Sequence, residues 1–387
     1  MQRYLILLVA AASFFAPLSS AVYVEVPDYN SGIASAGVLD ITNGRYGDVI
    51  FATDGGISVH TANGTWYSVN ARLPGETAYG MLAPLDVMVT AVALDAEGRL
   101  WIGYPGGLQI GDRTGYRVIT DLQFLKNRNI NCIARWGDDM WIATGRAGLH
   151  RCHDGNWTWY KPLGPEGLGS YTVVSMAVDA ASDALVIGSE SDGVRVLKNR
   201  TGDVRFEQVT YGNDPLRGIS EVRTDPFGGV YLFNSTTVLR YVPGEGVISV
   251  LGAGNLSAFP VTINDVAATP EGMLLIASSD GIYGWNTSGV ALHITSGDGL
   301  RSNFVKKLFV DAAGRCWFVV PGNVGYVPPM TGSATLDLSA VPVPTPVVTE
   351  TPLPQTPAPV ETAGESAGLF DGVWAFFEEL FGTVSRG

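Results

Sequence analysis

The sequence predicts an all-β chain folded as a seven-bladed β-propeller of four-stranded antiparallel blades, and three observations predict it. First, one unit recurs seven times: an apolar strand, a tight polar turn, a second apolar strand, a small residue, a Gly-rich loop and a third strand. Second, the second-strand position held by Trp101 recurs at Ile50, Trp141, Val186, Tyr231, Leu275 and Trp317, with intervals of 51, 40, 45, 45, 44 and 42 residues. A period in the forties made of short strands points to a propeller. Third, the turns repeat with the strands. Gly47, Gly98, Gly228, Gly272 and Gly314 stand three positions before the anchor, Asp95, Asp225 and Asp311 six before it, and Pro226 and Pro270 follow the first turn residue. Asp first, Pro second and Gly fourth suit a type I turn, because Pro fixes φ and Gly accepts a positive one. Each unit therefore folds back as a hairpin.

Taken in order, the chain opens on Arg3, an apolar run from Tyr4 to about Phe15, and the small residues Ser19, Ser20 and Ala21. This reads as a signal peptide over residues 1–21, too short and too early interrupted by Pro17 to span a bilayer. Residues 22–26 (VYVEV) alternate like a strand, and a propeller must join its last blade to its first, so they are expected to form the outer strand of the seventh blade. The propeller occupies residues 22–333. Two residues after the anchor, Ala52, Gly103, Ala143, Gly188 and Ala277 are small enough for neighbouring sheets to approach, whereas Phe233 and Val319 break that pattern. A Pro/Thr-rich extended linker follows over residues 334–368, with seven prolines between 341 and 360. About 25 residues of such chain reach on the order of 80 Å. Residues 369–387 turn apolar on one helical face, with Phe370, Trp374, Phe377 and Phe381 on it and Asp371, Glu378 and Glu379 opposite. This amphipathic helix is read as a docking element for a partner protein, or for a membrane surface, although acidic residues fit lipid poorly.

With 37 acidic and 24 basic residues the net charge is −13, and cleavage after Ala21 would make it −14. So acidic a surface repels phosphate backbones and no run of basic residues interrupts it, which excludes a nucleic-acid partner. No later segment is long and apolar enough to span a membrane. The reading is of an exported protein, secreted or held at the cell surface.

The units at residues 173–197 (VVSMAVDAASDALVIGSESDGVRVL) and 296–320 (SGDGLRSNFVKKLFVDAAGRCWFVV) resemble two-component regulator propeller repeats. That pattern runs from a Gly-Leu loop through an apolar strand to Asp-x-x-Gly and Leu-Trp-hydrophobic-Gly. Gly299, Leu300, Asp311, Gly314 and Trp317 match it in the last unit, and Asp95, Gly98, Leu100, Trp101 and Gly103 in the second. The resemblance covers residues 37 to 326, most weakly in units 1 and 5. It implies an extracytoplasmic ligand-sensing propeller of the kind found in hybrid sensor kinases. It carries no catalytic residues: the Trp column packs between blades and the Asp and Gly build turns. With one set of seven units and neither a span nor a kinase, the chain is not expected to signal alone.

The candidate chemistry is sparse. His150 and His153 flank Cys152, but on a strand they point to opposite faces, so no metal site is expected. Cys132 and Cys152 fall two strand spacings apart in one blade, beyond disulfide reach, so these thiols and Cys316 are expected to be free. No catalytic residue and no cofactor is assigned. Asn63, Asn156, Asn234, Asn255 and Asn286 open sequons that permit glycosylation in an exported chain.

Topology puts the second-to-third-strand loops and the blade-to-blade connections on one face, where the long segments 70–88 and 210–218 also lie. Tyr104, Arg146, Glu190, Asp192, Arg217 and Arg301 fall there and are the candidate binding residues, since variable loops on a rigid scaffold carry recognition. The function read from this is non-catalytic recognition of an extracellular ligand, such as a glycan, or of an envelope protein. Its rival is an exported glycan lyase or hydrolase with paired carboxylates in the channel; a redox cofactor carrier is a weaker third.

The tail reading has a direct test. Removing residues 369–387 should leave the melting temperature of the propeller nearly unchanged while abolishing attachment to a partner or the cell surface. A drop of many degrees would make the helix part of the fold.

Overall fold

The computed structural model describes residues 23–25, 32–70, 75–77, 79–82, 84–112, 115–162, 167–200, 204–219, 221–251, 261–286 and 289–330. The segments read as signal peptide, Pro/Thr linker and amphipathic helix, and Asn255, lie outside them. Seven four-stranded antiparallel sheets form the blades. The innermost strands are Val38–Asn43, Ala91–Leu94, Ile130–Trp136, Val173–Asp179, Glu221–Thr224, Ile263–Ala268 and Lys307–Val310 for blades 1 to 7. Every anchor lies in the second strand of its blade, from Val49–Thr53 in blade 1 to Cys316–Val320 in blade 7, and all seven are buried. Residues Tyr23–Glu25 pair antiparallel with Asn323–Val327, Tyr23 opposite Tyr326 and Glu25 opposite Val324, so the N-terminal strand closes blade 7 as expected. Two short hairpins, Gly75–Thr77 with Gly80–Leu82 and Thr210–Tyr211 with Asp214–Pro215, occupy the two long connections. Among the described residues no helix is long and apolar enough to cross a membrane.

The core is a set of seams between blades, because a strand buried on both faces must hand alternate side chains to its two neighbours. Ile50 and Ala52 pack on blade 2 with Val92, Leu100 and Ile102, while Val49 and Phe51 pack on blade 7 with Trp317 and Val319. The small residue after the anchor earns its place by distance: a Cβ on Gly103 would come 2.6 Å from Ile130 Cγ2 of blade 3. Phe233, at the same position in blade 5, is accommodated in the seam with blade 6 against Ile263 and Val266.

The Asp of the first turn does more than shape it. Asp311 accepts from the backbone N–H of Ala313 and Arg315, from Arg315 Nε at 2.6 Å and from the Trp317 indole at 2.8 Å. Asp95 repeats this with Arg99 at 2.6 Å and Trp101 at 2.8 Å. In blade 5 the cation comes from the third strand, Arg240 Nε reaching Asp225 at 2.6 Å. In blade 6 Thr269 replaces the carboxylate, and its hydroxyl accepts from Met273 N–H at 3.2 Å.

This ordering is measurable. Asp311→Ala strands the Trp317 indole and the Arg315 guanidinium beside it, and should cost about 3 kcal/mol in denaturant unfolding. Trp317→Phe removes one donor and some volume and should cost less, about 1–2 kcal/mol. The reverse order would remove the carboxylate from the centre of the turn.

Candidate functional site

Two places could carry function, the central channel and the face of long connections. The channel is built by register. Opposite the residue two places after each anchor stands, from blade 1 to blade 7, Asp40, Ala91, Cys132, Ser175, Glu221, Asp265 or Lys307. All of these but Ala91 line, with Arg223, Thr90 and Asn131 among others, a cavity of about 440 Å³. Its blade 5-to-1 side is charged and its blade 2-to-4 side is small and neutral. Arg223 joins Asp265 at 2.9 Å and Glu221 at 3.3 Å, with its guanidinium 5.5 Å from the Phe233 ring centre.

The channel acids already hold the ring together. In blades 1, 4 and 6 a bulge precedes the channel residue, and that residue then bonds the next blade. Asp40 Oδ2 accepts from Val92 N–H at 3.0 Å, Ser175 Oγ from Val222 N–H at 3.0 Å and Asp265 Oδ2 from Leu308 N–H at 3.1 Å. Burial pushes the Asp40 carboxyl up, and Lys307 and the N–H groups of Val92 and Ile41 pull it back. Its second oxygen takes Ile41 N–H at 2.9 Å. Neither Asp40 nor Asp265 is a free carboxylate in the sense that the glycan-enzyme reading requires. Sequence reasoning missed this cluster, although the position facing the residue two places after the anchor marks it in every unit.

On the opposite side of the argument, the six candidate residues divide. Arg146, Glu190, Arg217 and Arg301 are exposed on their loops. Asp192 is tied to Arg195 at 2.5 Å. Tyr104 is a correction: it is fully buried in the seam between blades 1 and 2, donates its hydroxyl to Gln109 Oε1 at 2.6 Å, and has its pKa pushed up by that burial. It ends its strand pointing into the seam and not out of the loop, so a ligand on the surface does not reach it. The connections on this face also expose Leu85, Val87, Met88, Tyr171 and Phe304, which the sequence reading did not single out.

The remaining calls on side chains are simple to place. His150 is buried, with Nε2 accepting from Lys126 N–H at 3.0 Å and its pKa lowered to about 4 by burial, while His153 bonds Asp139 at 2.7 Å. Among the described residues no group of His, Cys, Asp and Glu could hold a metal ion. Asn63 and Asn156 are exposed, but Asn234 Nδ2, the atom a glycan would take, donates to Gly218 O at 3.1 Å, and Asn286 is half-buried.

No family model and no curated protein matches the chain. Solved structures share its fold. The extracellular domain of a hybrid two component system from B. thetaiotaomicron superposes with a TM-score of 0.59 at 17% identity, over 79% of this chain and 42% of that one. A second such domain from the same organism gives 0.59 at 14%, over 79% and 40%. Virginiamycin B lyase from Staphylococcus aureus gives 0.58 at 14%, over 78% of this chain and 98% of the lyase. The chain thus spans less than half the length of the two-component chains and almost all of the lyase. The likeness is one of fold.

The three cysteines are free. Burial pushes the Cys132 thiol up to about 12 and raises Cys152 and Cys316 as well. Iodoacetamide at about pH 8 should therefore leave the folded protein unlabelled, since the thiolate is the nucleophile. Denaturation without reductant should expose three alkylatable thiols; a mass two alkylations short would reveal a disulfide.

Proposed function

We propose that this is an exported, non-catalytic recognition protein that binds an extracellular ligand or an envelope protein on its face of long connections. The observation that carries the reading is the make-up of that face. Arg146, Arg217 and Arg301 stand exposed among Leu85, Val87, Met88, Tyr171 and Phe304. Arg, Met and aromatic side chains are what binding interfaces concentrate, and exposed apolar groups on one side of a rigid scaffold mark interaction. The short turns of the opposite face bury the carboxylates of Asp48, Asp95, Asp225 and Asp311, and expose Tyr46 and Phe227. Kinship of fold with extracellular domains of two component systems supports a sensing role. The Pro/Thr spacer and the helix with Phe370, Trp374, Phe377 and Phe381 would tether the propeller to a partner or surface.

The lyase of similar size supports the rival enzymatic reading. A histidine-to-alanine form of that lyase is catalytically inactive. In this chain His60 and His150 are buried between blades, and His153 lies at a turn on the far face. His293, on the connection side, is stacked 4.0 Å from the Tyr283 ring with Nε2 at 2.6 Å from the Asp280 carbonyl. The histidines and the channel carboxylates are thus committed to structure, and recognition is the better-supported reading.

Glycan and protein arrays probed with the secreted chain would supply the ligand. The Arg146→Ala/Arg301→Ala double variant should then bind it several-fold more weakly with an unchanged melting temperature. Unchanged affinity would move the site to the other face or to the tail.

A further inference from the structure

We propose that the outer strand of blade 3, Asn156–Tyr160, is a second docking surface, which takes an extended acidic peptide of a partner protein by strand addition. The proposal concerns a different surface from the connection face and does not rest on that reading.

The backbone is the first ground. The hairpin from Gly148–His153 to Asn156–Tyr160 turns on Asp154 (φ 49°) and Gly155 (φ 78°), two consecutive positive φ values, as in a two-residue type I′ turn. Such a turn makes His153 and Asn156 the first hydrogen-bonded pair. Alternation then assigns the bonded pairs to Arg151 with Thr158 and Leu149 with Tyr160. Trp157 and Trp159 stand at the non-bonded positions, opposite Cys152 and His150, with N–H and C=O directed away from the blade. The strand lies at the edge of its sheet.

The side chains are the second ground. Trp159 is 38% exposed, and it is fixed: its indole donates to Ala147 O at 2.6 Å and stacks at 12° on the buried His150 ring. Trp157, two residues away on the same face, packs on Phe124 with ring centres 6.2 Å apart. Cations line this strip. Lys126 Nζ lies 5.7 Å and Lys161 Nζ 5.3 Å from the Trp159 ring centre, and the Arg117 guanidinium lies 5.9 Å from that of Phe124. Lys126 is steered by the carbonyls of Leu122 and Gln123 at 2.9 and 3.3 Å. Asp121 and Asp154 are the exposed acids beside them.

A cationic strip is out of keeping with a chain of 37 acidic and 24 basic residues, and no run in the sequence announces it, because residues 117, 126 and 161 meet only in the fold. The outer strand of blade 4, by contrast, carries Glu207, which is neutralised by Lys198 at 2.6 Å. Lysines on an edge strand often serve to repel other strands. Here the ammonium groups lie over an exposed indole, which a solvated guard residue does not need. Main-chain pairing supplies affinity in strand addition and alternate side chains supply specificity, so carboxylates on the added strand would meet Lys126 and Lys161. A glycan on Asn156, at the head of this strand, would cover the edge.

The test uses the full chain and labelled (Val-Glu)5 and (Val-Lys)5 peptides in fluorescence anisotropy at low salt. Binding of (Val-Glu)5 alone is expected, weakened at least about tenfold by Lys126→Glu/Lys161→Glu, which reverses two rim charges. Amide exchange at Trp157 and Trp159 should slow on binding. Trp159→Pro should fold, since that N–H lies outside the ladder, and should lose the peptide. No binding of (Val-Glu)5 at millimolar concentration, equal binding of (Val-Lys)5, or protection elsewhere would overturn the proposal. Lysine-dependent binding of polyuridylate in place of the peptide would assign the strip to nucleic acid and overturn it too.

Discussion

The buried carboxylate at the first turn of the blade is the interaction on which the rest of the structure leans. Taking a carboxylate out of water costs several kcal/mol unless every lone pair finds a donor. Asp311 and Asp95 meet that demand by gathering two kinds of group that are otherwise hard to bury together, an arginine and the indole N–H of the anchor tryptophan. The turn, the second strand and the cation are thereby fixed relative to one another. Blade 4 extends the logic across a seam, since Asp179 accepts from Gly229 N–H of blade 5 at 2.9 Å. Blade 6, with Thr269 in place of Asp, has only the weaker neutral version.

A second constraint follows from closure. Seven sheets converging on one axis bring their innermost strands together, and backbone N–H groups on the open edges of those strands need acceptors. Asp40, Ser175 and Asp265 provide them for the next blade. The channel is consequently charged, partly buried and spoken for. The cluster of charges in the channel thus has a structural account in the need to join blade to blade.

The fold was legible because its determinants repeat. Turn residues and anchors recur at fixed offsets, and the closing strand could be placed because only a chain end is free to complete the ring. Side-chain direction at the ends of strands was not legible. Tyr104 sits one residue beyond Gly103, in what reads as the start of a loop, yet its strand continues through it and turns the ring into the seam. The exposed apolar residues of the connections were missed for the converse reason: Leu85, Val87 and Met88 lie in a segment read as a loop, and apolar residues in a loop do not declare from sequence whether they are buried.

Charge shows the same limit most clearly. Composition reports the sum over the surface and sequence runs report only neighbours in the chain, so an acidic average concealed the meeting of Arg117, Lys126 and Lys161 along one edge. A propeller makes such meetings common, because residues one period apart stand side by side on adjacent blades. The outer strand of blade 3 faces the connection that leaves blade 2, and a basic residue in each is enough to invert the local potential over a few ångströms, well inside the screening length of physiological salt. For a rigid ring of this kind, side chains remote in sequence that meet where blades adjoin set the local potential, and net charge acts only on the approach from a distance.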